Sequence, residues 1–383
     1  MGLPVDAVSR ERSVENLRSA VACASRFLLS TPNLNFLIAF GRNEVFRESV
    51  LGSEFCTADG VTITLLARLL DIPLRERVTG ADLLEMIRNG GVRPLRVFFF
   101  GGEEGAAAAA CDEINRTQNG VTCVGYLNPG WGSIAEMSSD EIIGKINSSQ
   151  ADFLIVALGA QRGQEWLWRN RDRLSTPVRA HLGAAVNFIT ERIKRAPPFL
   201  RKIGLEWLWR IKEEPHLWKR YASDSVVLAK LLLFHAVPLS LLHTAVGFRQ
   251  RTPLRFTRSE SNQAVVLSAV GSATVRDMET VILAFQLAAA EVKNIHLDLS
   301  GVKYVDARFL GALLMLRKVQ RARGLTFSIQ NAPALVRYIF RLNRISFLLS
   351  NEPATLSKRL NATVGKCNAN APFCTSRSET LYT

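Results

Sequence analysis

LRVFFFGGEEGAAAAACDEI, residues 95–114, decides how the first part of this chain folds. An unbroken apolar run meets two glycines, and an alanine-rich segment too long for a strand follows, which reads as strand, turn and helix in succession. The same plan returns in ADFLIVALGAQRGQEWLWRN (151–170) and in VRAHLGAAVNFITERI (178–193). Short apolar runs alternating with amphipathic stretches predict an α/β fold, an open Rossmann-like sheet with crossover helices.

Three of these strand ends carry glycine: Gly101 and Gly102, Gly159, and Gly183. Ligands of open α/β sheets bind beyond the carboxyl ends of the strands, where glycine lets backbone N–H groups come close to a phosphate. GGEEG is short of the full G-x-G-x-x-G fingerprint, so ordinary tight turns remain an equal alternative for it.

Working outward, 383 residues with 48% hydrophobic and 21% charged content describe a folded chain of two domains. The formal charge of +14 points to an anionic partner. The N-terminal segment has no apolar signal core, so export by that route is not expected. Six scattered cysteines without a C-x-x-C pair read as reduced thiols of a cytoplasmic protein and argue against a structural zinc site. MSSDEIIGKI (137–146) offers Ser138 and Glu141 as a capping box.

Residues 192–245 form an arm, RIKRAPPFLRKIGLEWLWRIKEEPHLWKRY and onward, that mixes Lys and Arg with Trp. Cations among indoles suit a helix lying on anionic headgroups. VVLAKLLLFHAVPLSLLH (226–243) is short of a membrane span and is interrupted by Lys230, His235 and Pro238, so it is either a buried or an interfacial helix. A basic linker at 246–260 precedes a compact α/β module at 261–350, in which AVVLSAVGSAT (264–274) reads as a strand pair; a flexible tail closes the chain at 351–383.

The five histidines make no metal-binding spacing, and no G-x-S-x-G elbow, P-loop or Asp-x-Asp is present in the first domain. Catalysis there would fall to a carboxylate. Asp59, in FCTADGVTITLLARLL (55–70), stands at the mouth of an apolar helix, where it is either an N-cap or an acid with a shifted pKa.

STPNLNFLIAF, TADGVTITLLARLL, LRERVTGADLLEMI, FLIVALGAQRGQEWLWRN, RIKRAPPFLRKIGLEWLWR and EEPHLWKRY occur in that order. Together, over about residues 5–245, they resemble the WecG/TagA/CpsF glycosyltransferases. The resemblance implies an inverting, metal-independent transfer from a UDP-sugar to a polyprenyl-diphosphate-linked saccharide, with no cofactor beyond the donor. It makes Asp59 the base that takes the proton of the acceptor hydroxyl. Thr31 and Asn33 would touch sugar or diphosphate, and Arg77 would neutralise charge as UDP leaves. The arm would dock on the membrane and close over the site with Arg210 and Arg220. Leu217 replaces a third family arginine, Gly163 takes the family's Gln position with Gln164 beside it, and Asn187 and Glu191 replace an Asp and a Gly.

IHLDLSGVKYVDARFLGALLML (295–316) resembles a STAS domain. Ala307 stands where switchable STAS domains carry a phosphoserine, so the module is expected to hold a protein partner constitutively, with Arg308 and Phe309 at the contact. The resulting expectation is a cytoplasmic enzyme, peripheral on the inner face of the cell membrane, with no nucleic-acid partner. Its rival is a degenerate transferase that regulates or scaffolds polysaccharide synthesis.

Overall fold

The computed structural model describes residues 1–74, 76–91, 93–117, 119–190, 196–202, 204–247 and 252–350. The first part runs α1 (Arg10–Ala22), β1 (Phe27–Ser30), α2 (Leu34–Phe40), α3 (Glu44–Gly52), β2 (Phe55–Cys56), α4 (Val61–Leu69) and α5 (Gly80–Asn89). It continues through β3 (Leu95–Gly101), α6 (Ala106–Thr117), β4 (Val121–Leu127), α7 (Asp140–Ser148), β5 (Phe153–Ala157), α8 (Ala160–Arg169), β6 (Val178–His181) and α9 (Gly183–Ile189). The six strands are all parallel, in the order β2-β1-β6-β5-β3-β4. Helices cover both faces, so the central strands are apolar throughout: Val97, Phe99, Phe153 and Ile155 face one core, Phe98, Phe100, Leu154 and Val156 the other.

The arm consists of α10 (Pro198–Lys202), α11 (Glu206–Glu213), α12 (Trp218–Leu231) and α13 (Val237–Gly247), the last two joined through a π-helical turn at Leu232–Ala236. That turn lies just before Pro238 and absorbs the hydrogen bond the proline cannot make, so the helix does not break there. The result is one helix from Pro215 to Ala245, long and apolar enough to cross a membrane by length and composition, where the sequence had suggested a shorter segment. Its contacts bury it on one side only. Leu231 and Ala236 pack with Leu37 and Leu66, whereas Leu233, Phe234 and Leu241 are each more than 60% exposed.

The second sheet holds β7 (Arg255–Glu260), β8 (Ala264–Ala273), β9 (Asn294–Val305) and β10 (Phe327–Gln330) in the order β10-β9-β8-β7, with α14 (Met278–Ala290), α15 (Ala307–Ala322) and α16 (Ala334–Leu342) around it. Only the β7–β8 pair is antiparallel. Two expectations change here. β7 occupies part of the stretch read as a linker; it is polar because it is an edge strand and mostly exposed. The supposed strand pair at 264–274 is the single strand β8, which carries Gly271 through a register shift at positive φ (116°) instead of turning.

Two local readings are also corrected. Ser139, not Ser138, caps α7 by accepting from the Ile142 N–H, while Ser138 donates to the Ile134 carbonyl. Cys111 and Cys123, expected as free thiols, form a disulfide because α6 packs directly on β4. Among the described residues Cys23 and Cys56 are in no disulfide; Cys367 and Cys374 lie outside the described residues, with the rest of the tail.

Candidate active site

The carboxyl edge of the first sheet gathers most of the residues singled out in the sequence. Thr31 follows β1 and is buried, and Asn33 caps α2 by accepting from the Phe36 N–H. The Asp59 N–H donates to the Pro32 carbonyl at 2.8 Å, which ties the DG turn to the TPN segment. Gly60, at φ 108°, is the N-cap of α4, and no side chain caps that helix. A carbon added to Gly60 would stand 3.7 Å from Asn33 Cβ, and one added to Gly80 would stand 3.6 Å from Thr31 Cγ2. Asp59, Asn33, Thr31 and the start of α5 are therefore direct neighbours.

Asp59 does not cap its helix, so its carboxyl is left to the charges around it. Burial is the main cause that pushes its pKa up to about 7, and the like charges of Glu206 and Asp82 add to it. Arg77 and Arg210 pull the other way, but each is paired elsewhere: Arg77 Nη2 lies 3.3 Å from Glu206 Oε2, and Arg210 Nη2 lies 2.7 Å from Glu214 Oε2. An acid poised near neutrality can take a proton from a hydroxyl without being permanently charged.

Glu206 belongs to the arm, and the arm therefore lies over Asp59. Its entry depends on Gly204, at φ 81°, since a side chain there would come within 2.6 Å of Val61 Cγ2 at the head of α4. Glu206 was not singled out in the sequence, because only the folding back of the arm gives it meaning. Arg220 is not brought to Asp59; it is exposed and faces the Tyr221 ring and Asp224.

The glycines line the next part of the same edge. Gly102 donates its N–H to the Ala157 carbonyl, joining the ends of β3 and β5, and nothing lies within 4 Å of the space a side chain would take at Gly159. Between them and Thr31 sits His181, which the sequence reading also passed over. Its ring lies against Gly163 and Gly183, where side chains would stand 2.3 Å and 3.2 Å from it. Burial pushes its pKa down to about 4, which leaves it neutral, and its Nε2 is buried without a partner. The glycines on both sides of it were the available signal.

Gln164, expected at the substrate, is fully buried. Its Nε2 donates to Ser30 Oγ at 2.7 Å and lies 3.3 Å from Ser53 Oγ, so it braces the end of β1 from beneath. Of the remaining departures, Leu217 is buried in the arm, while the Asn187 side chain and Glu191 lie outside the described residues. Among the described residues no three His, Cys, Asp or Glu side chains are grouped to hold a metal ion.

Comparison with known proteins agrees with this layout. Residues 1–240 match the family "Glycosyl transferase WecG/TagA/CpsF", and residues 256–349 match the family "Mlab, STAS domain". An N-acetylglucosaminyldiphosphoundecaprenol N-acetyl-beta-D-mannosaminyltransferase of Bacillus spizizenii is 29% identical over 178 residues, 46% of this chain and 67% of that protein. The enzyme of the same name from Staphylococcus aureus is 21% identical over 226 residues, 57% of this chain and 85% of that protein. A solved anti-sigma factor antagonist, SpoIIAA in its unphosphorylated form, covers 29% of this chain and all of its own at 16% identity and a TM-score of 0.24, too slight a likeness to carry an argument. With a parallel sheet whose carboxyl edge holds the DG and TPN residues, and a family match over well more than half its length, the chain belongs to the WecG/TagA/CpsF glycosyl transferase family and carries a STAS domain behind it.

Proposed function

We propose that the chain moves a hexosyl group from a UDP-sugar to a polyprenyl-diphosphate-linked saccharide in cell-envelope or exopolysaccharide synthesis, with inversion and without a metal. The observation that carries this is Asp59, uncapped and poised near pH 7 beside Thr31, Asn33 and Arg77 at the ligand-binding edge of the sheet. Asp59 takes the proton of the acceptor hydroxyl as that oxygen bonds to the anomeric carbon. The bond from that carbon to the β-phosphate breaks with its electron pair, and UDP leaves. Arg77 and Arg210 balance the charge developing on the diphosphate, and the open glycine turn at Gly159 offers its backbone N–H to it, whereas Gly101 is packed against Leu158 and the Gly102 N–H is already taken by the Ala157 carbonyl.

The relatives' names supply the acceptor class, a saccharide on a lipid diphosphate. Such an acceptor lies in a membrane, and the arm suits one: Phe199, Trp207, Leu208, Trp218, Leu233 and Phe234 are exposed among its cations. The enzyme then works as a peripheral protein on the inner face of the cell membrane. The test is a panel of UDP-sugars with a short-chain lipid-linked N-acetylglucosamine diphosphate, in EDTA. UDP release that requires both substrates, with a product of inverted anomeric configuration, is the expected result. No release with any donor, or release only after magnesium or manganese is added, defeats the reading.

A further inference from the structure

The STAS module does not stand apart from the transferase part. Glu48 on α3, only 10% exposed at its side chain, receives Arg317 through both carboxylate oxygens at 3.0 and 3.2 Å and also receives Arg321. Lys318 Nζ donates to the Ser53 carbonyl at 2.5 Å, and Arg344 donates to the Leu37 carbonyl at 3.0 Å. A surface this buried, with its charges paired, is a fixed joint and not a passing contact.

The arm is part of that joint. Leu239 of α13 is buried in the STAS core with Leu242 packed against it, His243 Nδ1 lies 2.8 Å from the Tyr304 hydroxyl, and His235 Nδ1 lies 3.0 Å from the Leu342 carbonyl. Leu239 and His243 line one small cavity with Tyr304, Asp306 and Ala307. The turn expected to face a protein partner is thus covered by the chain's own arm. Phe309, expected at that contact, is fully buried in the core, so only Arg308 of the pair is exposed. The other end of the arm carries Glu206 to Arg77 beside Asp59.

We propose that the STAS module acts in cis as a clamp: with its turn surface taken by α13 and its α15 locked to α3, it holds the arm closed over Asp59. The partner of this STAS surface is a segment of the same chain. The consequence for catalysis rests on the transferase reading above, whereas the position of the arm does not.

The test is hydrogen–deuterium exchange on the full chain, comparing wild type with Glu48→Arg, which sets a third cation against Arg317 and Arg321. Exchange over α11 and α12 rises by about tenfold or more, far from the substitution, while β3 and β5 keep their protection. Adding Arg317→Glu and Arg321→Glu restores opposite charges across the joint and returns protection to the arm. Should Glu48→Arg not fold, Tyr304→Phe removes only the hydroxyl that meets His243 and raises exchange in α13 about threefold. An arm whose protection is unchanged in the folded variant overturns the clamp. So does a loosened arm that leaves sugar transfer at the wild-type rate. A wild type that transfers no sugar refutes the transferase reading and leaves the exchange result standing.

Discussion

Asp59 and Asp306 are each an acid at the mouth of a helix, after a strand or extended segment, and burial raises the pKa of both. Asp306 accepts from the Arg308 and Phe309 N–H groups at 2.9 and 3.0 Å and is the N-cap of α15. Asp59 stands one residue further out, leaves the cap position to Gly60, and makes no capping bond. Asp306 is occupied by its own helix, whereas Asp59 faces the charges of α11 with no capping bond of its own. A single residue of offset separates a capping carboxylate from an uncapped one, and the proposed base is the uncapped one.

The largest effect that would break this comparison is on turnover. Asp59→Asn keeps the side-chain shape, so fold and UDP binding stay as in wild type, while kcat falls by about two to four orders of magnitude, the usual worth of a general base. A steady-state assay on the purified variant checks it, and near-normal turnover would return Asp59 to the same class as Asp306.

Stability should divide the two acids in the opposite sense. The folded-state pKa of Asp59 is about 7 against an ordinary 3.8, so the native state holds a proton that the unfolded state has released between those values. Its contribution to stability is complete below the lower value and is lost as pH rises through the upper one. Asn cannot ionise and escapes that loss. Denaturant unfolding at pH 5 and pH 8 should show Asp59→Asn gaining on wild type by on the order of 2 kcal/mol between the two. Equal pH dependence in both proteins would mean that Asp59 is well solvated.

Asp306→Ala should cost about 0.5–2 kcal/mol of stability, the worth of an N-cap, and Asp306→Asn much less, because Asn also caps. The same unfolding curves at neutral pH decide it. If Ala and Asn are equally harmful, Asp306 matters for its charge near His243 and not for its cap.

Much of this architecture is legible in the sequence, because strands buried on both faces must be apolar runs, and FFF at 98–100 and LIV at 154–156 are such runs. What escaped reading lacks that pressure. β7 is an exposed edge and looks like a linker, β2 is two residues long, and Gly271 resembles a turn although it serves a close approach to the Pro253 carbonyl. The site divides in the same way. Thr31, Asn33, Asp59 and Arg77 lie within short segments that the sheet must bring to its carboxyl edge. Gln164 is misplaced by reading, since its distance from the surface depends on how α8 packs over Ser30 and Ser53. Glu206 reaches Arg77 only because the arm folds back over the edge of the sheet, which no local pattern announces.

The smallest effect concerns Glu206, and it sharpens what sets Asp59 apart. Four charged groups bear on the Asp59 carboxyl: Glu206 and Arg210 from α11, Arg77 from the segment before α5, and Asp82 within α5. Glu206→Gln removes the strongest like charge and frees Arg77 from its ion pair, and both changes favour the ionised form of Asp59. The acid limb of kcat/KM, which reports the free enzyme, therefore moves to lower pH. It stops short of the ordinary carboxylate range, because burial and Asp82 remain. A purely structural Glu206 would lower the rate at every pH and leave the limb in place. A limb that stays put, or moves upward, would show that the closed arm does not tune the base.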